Sequence, residues 1–200
     1  VSNVVGQIRE GEDALSALLA ARRVSPSEPL VLAELARIYE GRGRFEELAD
    51  VLLAWVSTNN DQSEFVAINL RLASLFEELK REPEAIARYK AILERSPGHA
   101  GALAGLGKIS YRLQNWSGLV ETYDAEAAAT DDPRTRAGRL YKAGETLEER
   151  LGQIDDAIAR YKQALTLTPG FLPATKALTR LFEKLGRWNE LISMHEQELL

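Results

Sequence analysis

Catalysis needs convergent reactive groups, and this chain carries few of the usual ones. Its histidines are two, His99 and His195, some 96 residues apart, and its cysteine count is zero. No thiolate can act as nucleophile or metal ligand, and no disulfide can form. The serines lack a Gly-x-Ser-x-Gly setting, and no glycine loop is built to cradle phosphate. Carboxylates do pair, as Glu46-Glu47, Glu77-Glu78, Glu148-Glu149 and Asp155-Asp156. Neighbours on a helix point about 100° apart, so such a pair cannot clamp one atom alone. At a helix start their charge complements the dipole instead. The expectation is a non-enzymatic chain with no metal site and no cofactor. His99, after Pro97-Gly98, reads as a solvent-facing loop residue, and His195 as a packed or partly exposed one.

The cations are a better lead. Arg37, Lys108 and Arg180 recur at spacings of 71 and 72 residues, and Lys108/Arg112 and Lys176/Arg180 share helical sides at a spacing of four. A long period of this kind needs repeated elements to place it.

Those elements are helices. The chain is 200 residues, 45% hydrophobic and 28% charged, rich in Ala, Leu, Glu and Arg, which favour helix. Lys and Arg total 25 against 30 Asp and Glu, a net charge of -5, the wrong sign for a dedicated nucleic-acid binder. No apolar run approaches the ~18 residues of a membrane span, so no membrane insertion is expected. The first residues lack the basic lead and apolar run of a signal peptide. The cytoplasm is the default compartment.

Second-helix openings fall at Ala14, Leu48, Ala85, Leu119, Ala157 and Leu191, with gaps of 34, 37, 34, 38 and 34 residues. The extra residues fall near Thr58-Asn59-Asn60-Asp61 and Thr130-Asp131-Asp132-Pro133, which read as lengthened loops. Glu84-Ala85-Ile86-Ala87-Arg88-Tyr89-Lys90 returns nearly unchanged as Asp156-Ala157-Ile158-Ala159-Arg160-Tyr161-Lys162, as if a pair of units had been duplicated. Apolar steps of three and four mark each helix, as in Leu72, Ala73, Phe76 and Leu79. Ala85 and Ala157 allow close crossings, and Tyr89 and Tyr161 fill the wider gap one turn on, with hydroxyls that need a partner. Phe45, Trp116 and Trp188 are expected to pack over the hairpin turns, and Trp55 to fill between units.

These residues resemble the tetratricopeptide repeat family. The unit from Pro29 supplies Leu35-Ala36, Tyr39, Gly43 and Leu48. The next supplies Leu72-Ala73, Phe76, Ala85, Tyr89, Ile92 and Pro97; later units supply Leu106-Gly107 and Tyr123, then Gly152, Ala157, Tyr161, Ala164 and Pro169, then Leu178, Phe182 and Gly186. The unit from Gly138 fits best with one added residue around Leu147–Leu151. The resemblance implies an all-α, right-handed α-solenoid of helix-turn-helix hairpins. It would be a single array with a partial unit at 1–28 and repeats at about 29–62, 66–99, 100–133, 138–171 and 172–200, cut from a longer array.

In that family the first helices line the inner curve. The resemblance therefore offers Arg37, Ser74, Lys108, Tyr111, Arg139, Lys142, Lys176 and Arg180 as candidate groove residues, a locally basic stripe suited to an acidic peptide. The Lys/Asn carboxylate clamp of chaperone-docking members is missing, since Ala33, Leu70 and Arg71 do not supply it. The implied function is a non-catalytic scaffold that binds a protein or peptide in its concave groove. Alternatives are an architectural spacer, self-associating through exposed array ends, or a regulatory segment of a larger enzyme-containing protein.

Overall fold

The computed structural model describes residues 2–58 and 61–198, with side chains placed for 13–58 and 61–196. The described chain is helical and contains no strand. The helices are α1 (Ser2–Val24), α2 (Pro29–Gly41), α3 (Phe45–Thr58), α4 (Gln62–Glu78), α5 (Glu82–Arg95) and α6 (Ala100–Arg112). They continue as α7 (Trp116–Ala128), α8 (Pro133–Thr146), α9 (Ile154–Leu167), α10 (Leu172–Leu185) and α11 (Trp188–Glu198). Segment 1–28, expected as a partial unit, holds one helix of 23 residues.

A shared backbone device bends each hairpin. The turn residue adopts a left-handed conformation: Gly43 at φ 65°, Lys80 at 60°, Gln114 at 54°, Gly152 at 66° and Gly186 at 68°. The amide after it then reaches back to the end of the first helix. Arg44 N–H donates to Tyr39 O (2.9 Å), Arg81 to Phe76 O (2.8 Å), Asn115 to Ser110 O (2.8 Å) and Arg187 to Phe182 O (2.8 Å). This satisfies a carbonyl that the helix end would orphan. Three of the five turns use glycine, which enters this region without a Cβ penalty.

The remaining turn carries the added residue. Leu147–Leu151 forms a π-helical turn, and Gln153 N–H reaches Leu147 O at 2.9 Å, one residue further back than elsewhere. A one-residue insertion is absorbed within a single turn, and α9 starts in register.

The lengthened loops end in matching caps. Asp61 accepts from Glu64 N–H at 2.8 Å, and Asp132 from Thr135 N–H at 2.8 Å, each satisfying an open amide of α4 or α8. His99 is half-buried and caps α6, its Nδ1 accepting from Ala102 N–H at 3.2 Å. The expected solvent-facing histidine thus has a structural task. His195 is exposed on α11.

Two compact units divide the chain, Val1–Ile92 and Leu93–Leu200. Inside each, neighbouring helices pack pairwise: α1 on α2, α2 on α3, α3 on α4 in the first, and α6 through α11 in succession in the second. Ala85 and Ala157 are fully buried, as close crossings require. Tyr89 and Tyr161 are buried beside them, and their hydroxyls donate to Glu77 Oε1 (2.8 Å) and Glu148 Oε2 (3.0 Å).

The turn-covering aromatics differ from expectation. Trp188 is 57% exposed, although its Nε1 lies 3.9 Å from where a side chain on Gly186 would begin. The ring lies beside the turn without being enclosed. Trp116 instead meets the edge of Tyr111, with centroids 5.7 Å apart, and takes the Arg150 guanidinium at 5.0 Å.

Candidate functional site

The first helices α2, α4, α6, α8 and α10 carry all eight predicted site residues, and seven of them, Ser74 among them, lie on the exposed surface with an eighth, Tyr111, at 61% exposure. The predicted cations are not a bare stripe. Arg37 pairs with Glu34 at 2.9 Å, Lys142 with Glu145 at 2.7 Å, and Arg180 with Glu148 at 2.7 Å. The last pair also includes the Tyr161 hydroxyl, which burial and then the Glu148 charge hold protonated far above the ordinary tyrosine range. A partner's carboxylate would have to compete with these internal acids. Ser74 is exposed on α4. Lys176 stands exposed on α10.

Three predicted residues come together. Lys108 and Tyr111 on α6 and Arg139 on α8 line one pocket of about 290 Å³ in the second unit. Its walls are completed by Ala104 and Gly107 on α6 and by Leu119, Thr122, Tyr123 and Glu126 on α7. Gly107 keeps the wall low, because a Cβ there would sit 3.4 Å from Thr122 Cγ2.

Glu126 was not expected. It falls seven residues after the opening of its second helix, where the other units place Trp55, Ile92 and Ala164. Ile92 and Ala164 are fully buried. A carboxylate in such a place needs a partner. Arg139 Nε lies 3.1 Å from Glu126 Oε2, out of line for a hydrogen bond, and that oxygen is closed off from solvent. The signal was present in the sequence, as a charge at a register position that Ala21, Trp55, Ile92 and Ala164 fill with apolar residues.

A larger pocket of about 610 Å³ lies among α9, α10 and α11. Lys162 and Glu190 line it and pair with each other at 3.1 Å. It holds none of the predicted site residues. Among the described residues no group of three or more His, Asp and Glu could hold a metal ion, and no helix is long and apolar enough to cross a membrane.

Models described as tetratricopeptide repeat match residues 5–64 and 70–133, 140–169, and 174–200. The chain belongs to the tetratricopeptide repeat family. Membership places it among non-catalytic protein-interaction scaffolds. Similar folds occur in a tetratricopeptide repeat protein from Parabacteroides merdae, 21% identical, covering 98% of this chain and 75% of that one with a TM-score of 0.50. YrrB, described as a TPR protein with an unusual peptide-binding site, is 16% identical over 88% of this chain and 87% of its own, with a TM-score of 0.48. MamA is 18% identical over 82% and 92%, with a TM-score of 0.46. A search of curated protein sequences found no significant match.

Proposed function

We propose that this tetratricopeptide repeat chain binds an extended segment of a partner protein along the exposed first helices α6, α8 and α10 of its second unit, with acidic segments favoured. The observation that carries this reading is the pocket that gathers Lys108, Tyr111 and Arg139 from two first helices. A preformed site loses little entropy on binding, so several weak side-chain contacts can sum to a specific affinity. The exposed Tyr111 ring offers stacking area, and the cations favour carboxylates. The experiment is selection of peptides from a displayed random library on the whole chain. Enriched acidic peptides whose affinity drops with Lys108→Glu and Lys176→Glu support it, and an absence of enrichment defeats it.

One observation supports a second reading as a self-association module. Leu185, Trp188 and Ile192, at and just after the last hairpin turn, are 44%, 57% and 56% exposed, apolar surface that a second copy could cover. Sedimentation velocity over a range of concentrations checks it; constant mass excludes it.

A further inference from the structure

The larger pocket, of about 610 Å³, is walled by two second helices, α9 and α11, and floored by α10. Leu178 and Phe182 underlie it without exposed surface, and Met194 beside them is 8% exposed. The volume is that of an ordinary ligand pocket. Lys176 and Arg180, the predicted groove residues of α10, are not among its lining.

The preceding cleft, between α7 and α9, shows how such a gap is closed elsewhere. Arg160 donates there to both carboxylate oxygens of Asp124, at 2.9 and 2.8 Å, and ties the two helices together. One unit on, Met194 stands in the place of Arg160, 34 residues later, and Lys162 in the place of Asp124, 38 residues later. Lys162 reaches Glu190 instead, at 3.1 Å, one turn nearer the start of α11. The clasp has moved along the cleft, and an apolar side chain has taken its former place.

Charge in the pocket is balanced. Its two charged lining residues are Lys162 and Glu190, and they neutralise each other. An ionic guest would have to shed water for a pair already made. Hydrogen-bonding capacity is not balanced. On the α9 wall, the Thr166 hydroxyl is spent on Lys162 O at 3.0 Å. On the α11 wall, the side chains of Asn189 and Ser193 make no hydrogen bond among the described residues. They stand one turn apart, about 5–6 Å, close to the ~6.6 Å between alternate residues of an extended chain. A helical guest has its backbone groups paired internally and would leave both idle. An extended guest brings open amides and carbonyls to meet them.

We propose that the α9–α10–α11 pocket is a second binding site, for one bulky apolar side chain of an extended, uncharged peptide segment. The side chain rests over Met194 and Phe182, and Asn189 and Ser193 hydrogen-bond the backbone on either side of it. The site lies apart from the α6, α8 and α10 surface proposed above for acidic segments, and its occupant is chosen by apolar volume.

The test titrates the isotope-labelled whole chain with a blocked pentapeptide carrying Phe between paired glycines, followed by amide NMR shifts. Signals of Leu165, Gly170 and Ser193 should move together. Replacing the peptide's Phe by Ala or by Glu should weaken binding at least about tenfold, the first through lost apolar burial and the second through desolvation of its charge. Ser193→Trp and Thr166→Trp, each on an exposed wall position, should abolish it. Asn189→Ala should weaken the peptide several-fold and leave toluene, which has no backbone, bound as before. Lys108→Glu and Lys176→Glu should change nothing here, so this site and the acidic-segment reading stand or fall separately. Pocket signals unmoved by the Phe peptide, a Glu peptide that binds equally, or unchanged affinity in both tryptophan variants overturns the proposal. Equal losses of peptide and toluene on Asn189→Ala overturn the backbone role.

Discussion

At the corner of α2, α3 and α4, Ala36, Val51, Leu52 and Ile68 meet with at most 5% exposure. At the matching corner of α6, α7 and α8, Gly107, Thr122, Tyr123 and Arg139 surround a pocket of about 290 Å³. The hairpins, turns and caps are alike in both places. The difference lies in side-chain volume and charge at a few register positions. A repeat scaffold can therefore acquire a site without altering its backbone, by leaving core positions unfilled where a third helix closes over them. The Tyr–Glu bonds show the opposite behaviour, for Tyr89–Glu77 and Tyr161–Glu148 persist in both halves.

The largest expected effect separates the filled corner from the open one. Leu52→Ala removes a fully buried side chain and should cost about 2–5 kcal/mol. Tyr123→Ala, at the matching half-buried position, should cost less than about 2 kcal/mol. Urea unfolding measures both, and equal losses would erase the contrast.

A smaller contrast holds for the two crossing glycines. A Cβ on Gly144 would meet the Tyr161 ring at 2.6 Å, whereas one on Gly107 would meet Thr122 at 3.4 Å. Tyr161 is 1% exposed and tied to Glu148, so it cannot swing aside. Gly144→Ala should destabilise by about 1–3 kcal/mol. Gly107→Ala should lie within about 1 kcal/mol of wild type, because helix propensity favours alanine. Thermal midpoints in the reverse order would show that the two crossings are misread.

Glu126→Leu tests whether the open corner gave up stability for its charge. Restoring an apolar residue should raise stability by about 1 kcal/mol, since Arg139 is exposed enough to rehydrate. A clear loss of stability on this substitution would make Glu126 a structural residue.

The smallest effect probes the shared Tyr–Glu bonds. Burial, then the hydrogen bond to Glu77, pushes Tyr89 from 10.0 up to about 12. A group held protonated in the fold gives stability that is complete below its unfolded pKa and disappears as pH rises through the folded one. The urea midpoint should therefore fall as pH rises from about 10 to 12, and Tyr89→Phe should lessen that fall, with the raised Tyr161 hydroxyl keeping part of it. A wild-type midpoint independent of pH in that window would count against the buried hydroxyl.

The fold was legible because hairpin packing writes itself as local periodicity. Ala85, Tyr89, Ala157 and Tyr161 sit where their spacing put them, and the extra residue near Leu147–Leu151 was visible as a phase shift. Its form as a π-turn was not, since that depends on how the backbone shares carbonyls. The site was only partly legible. Lys108, Tyr111 and Arg139 followed from the resemblance, but cation pairing did not. Partners such as Glu148 for Arg180 and Glu40 for Arg71 lie on other helices, where no spacing rule reaches. Glu126 needed the register to be read for exceptions to the apolar pattern, not for agreement with it.

The left-handed turn residue has a practical consequence. Main-chain bonds close all five bends, so glycine, lysine and glutamine occupy equivalent places with φ between 54° and 68°. Whatever side chain stands at Lys80 or Gln114 is an attachment point decoupled from the bend. A dye, crosslinker or surface tether could be fixed there and leave the geometry of both hairpins as it was.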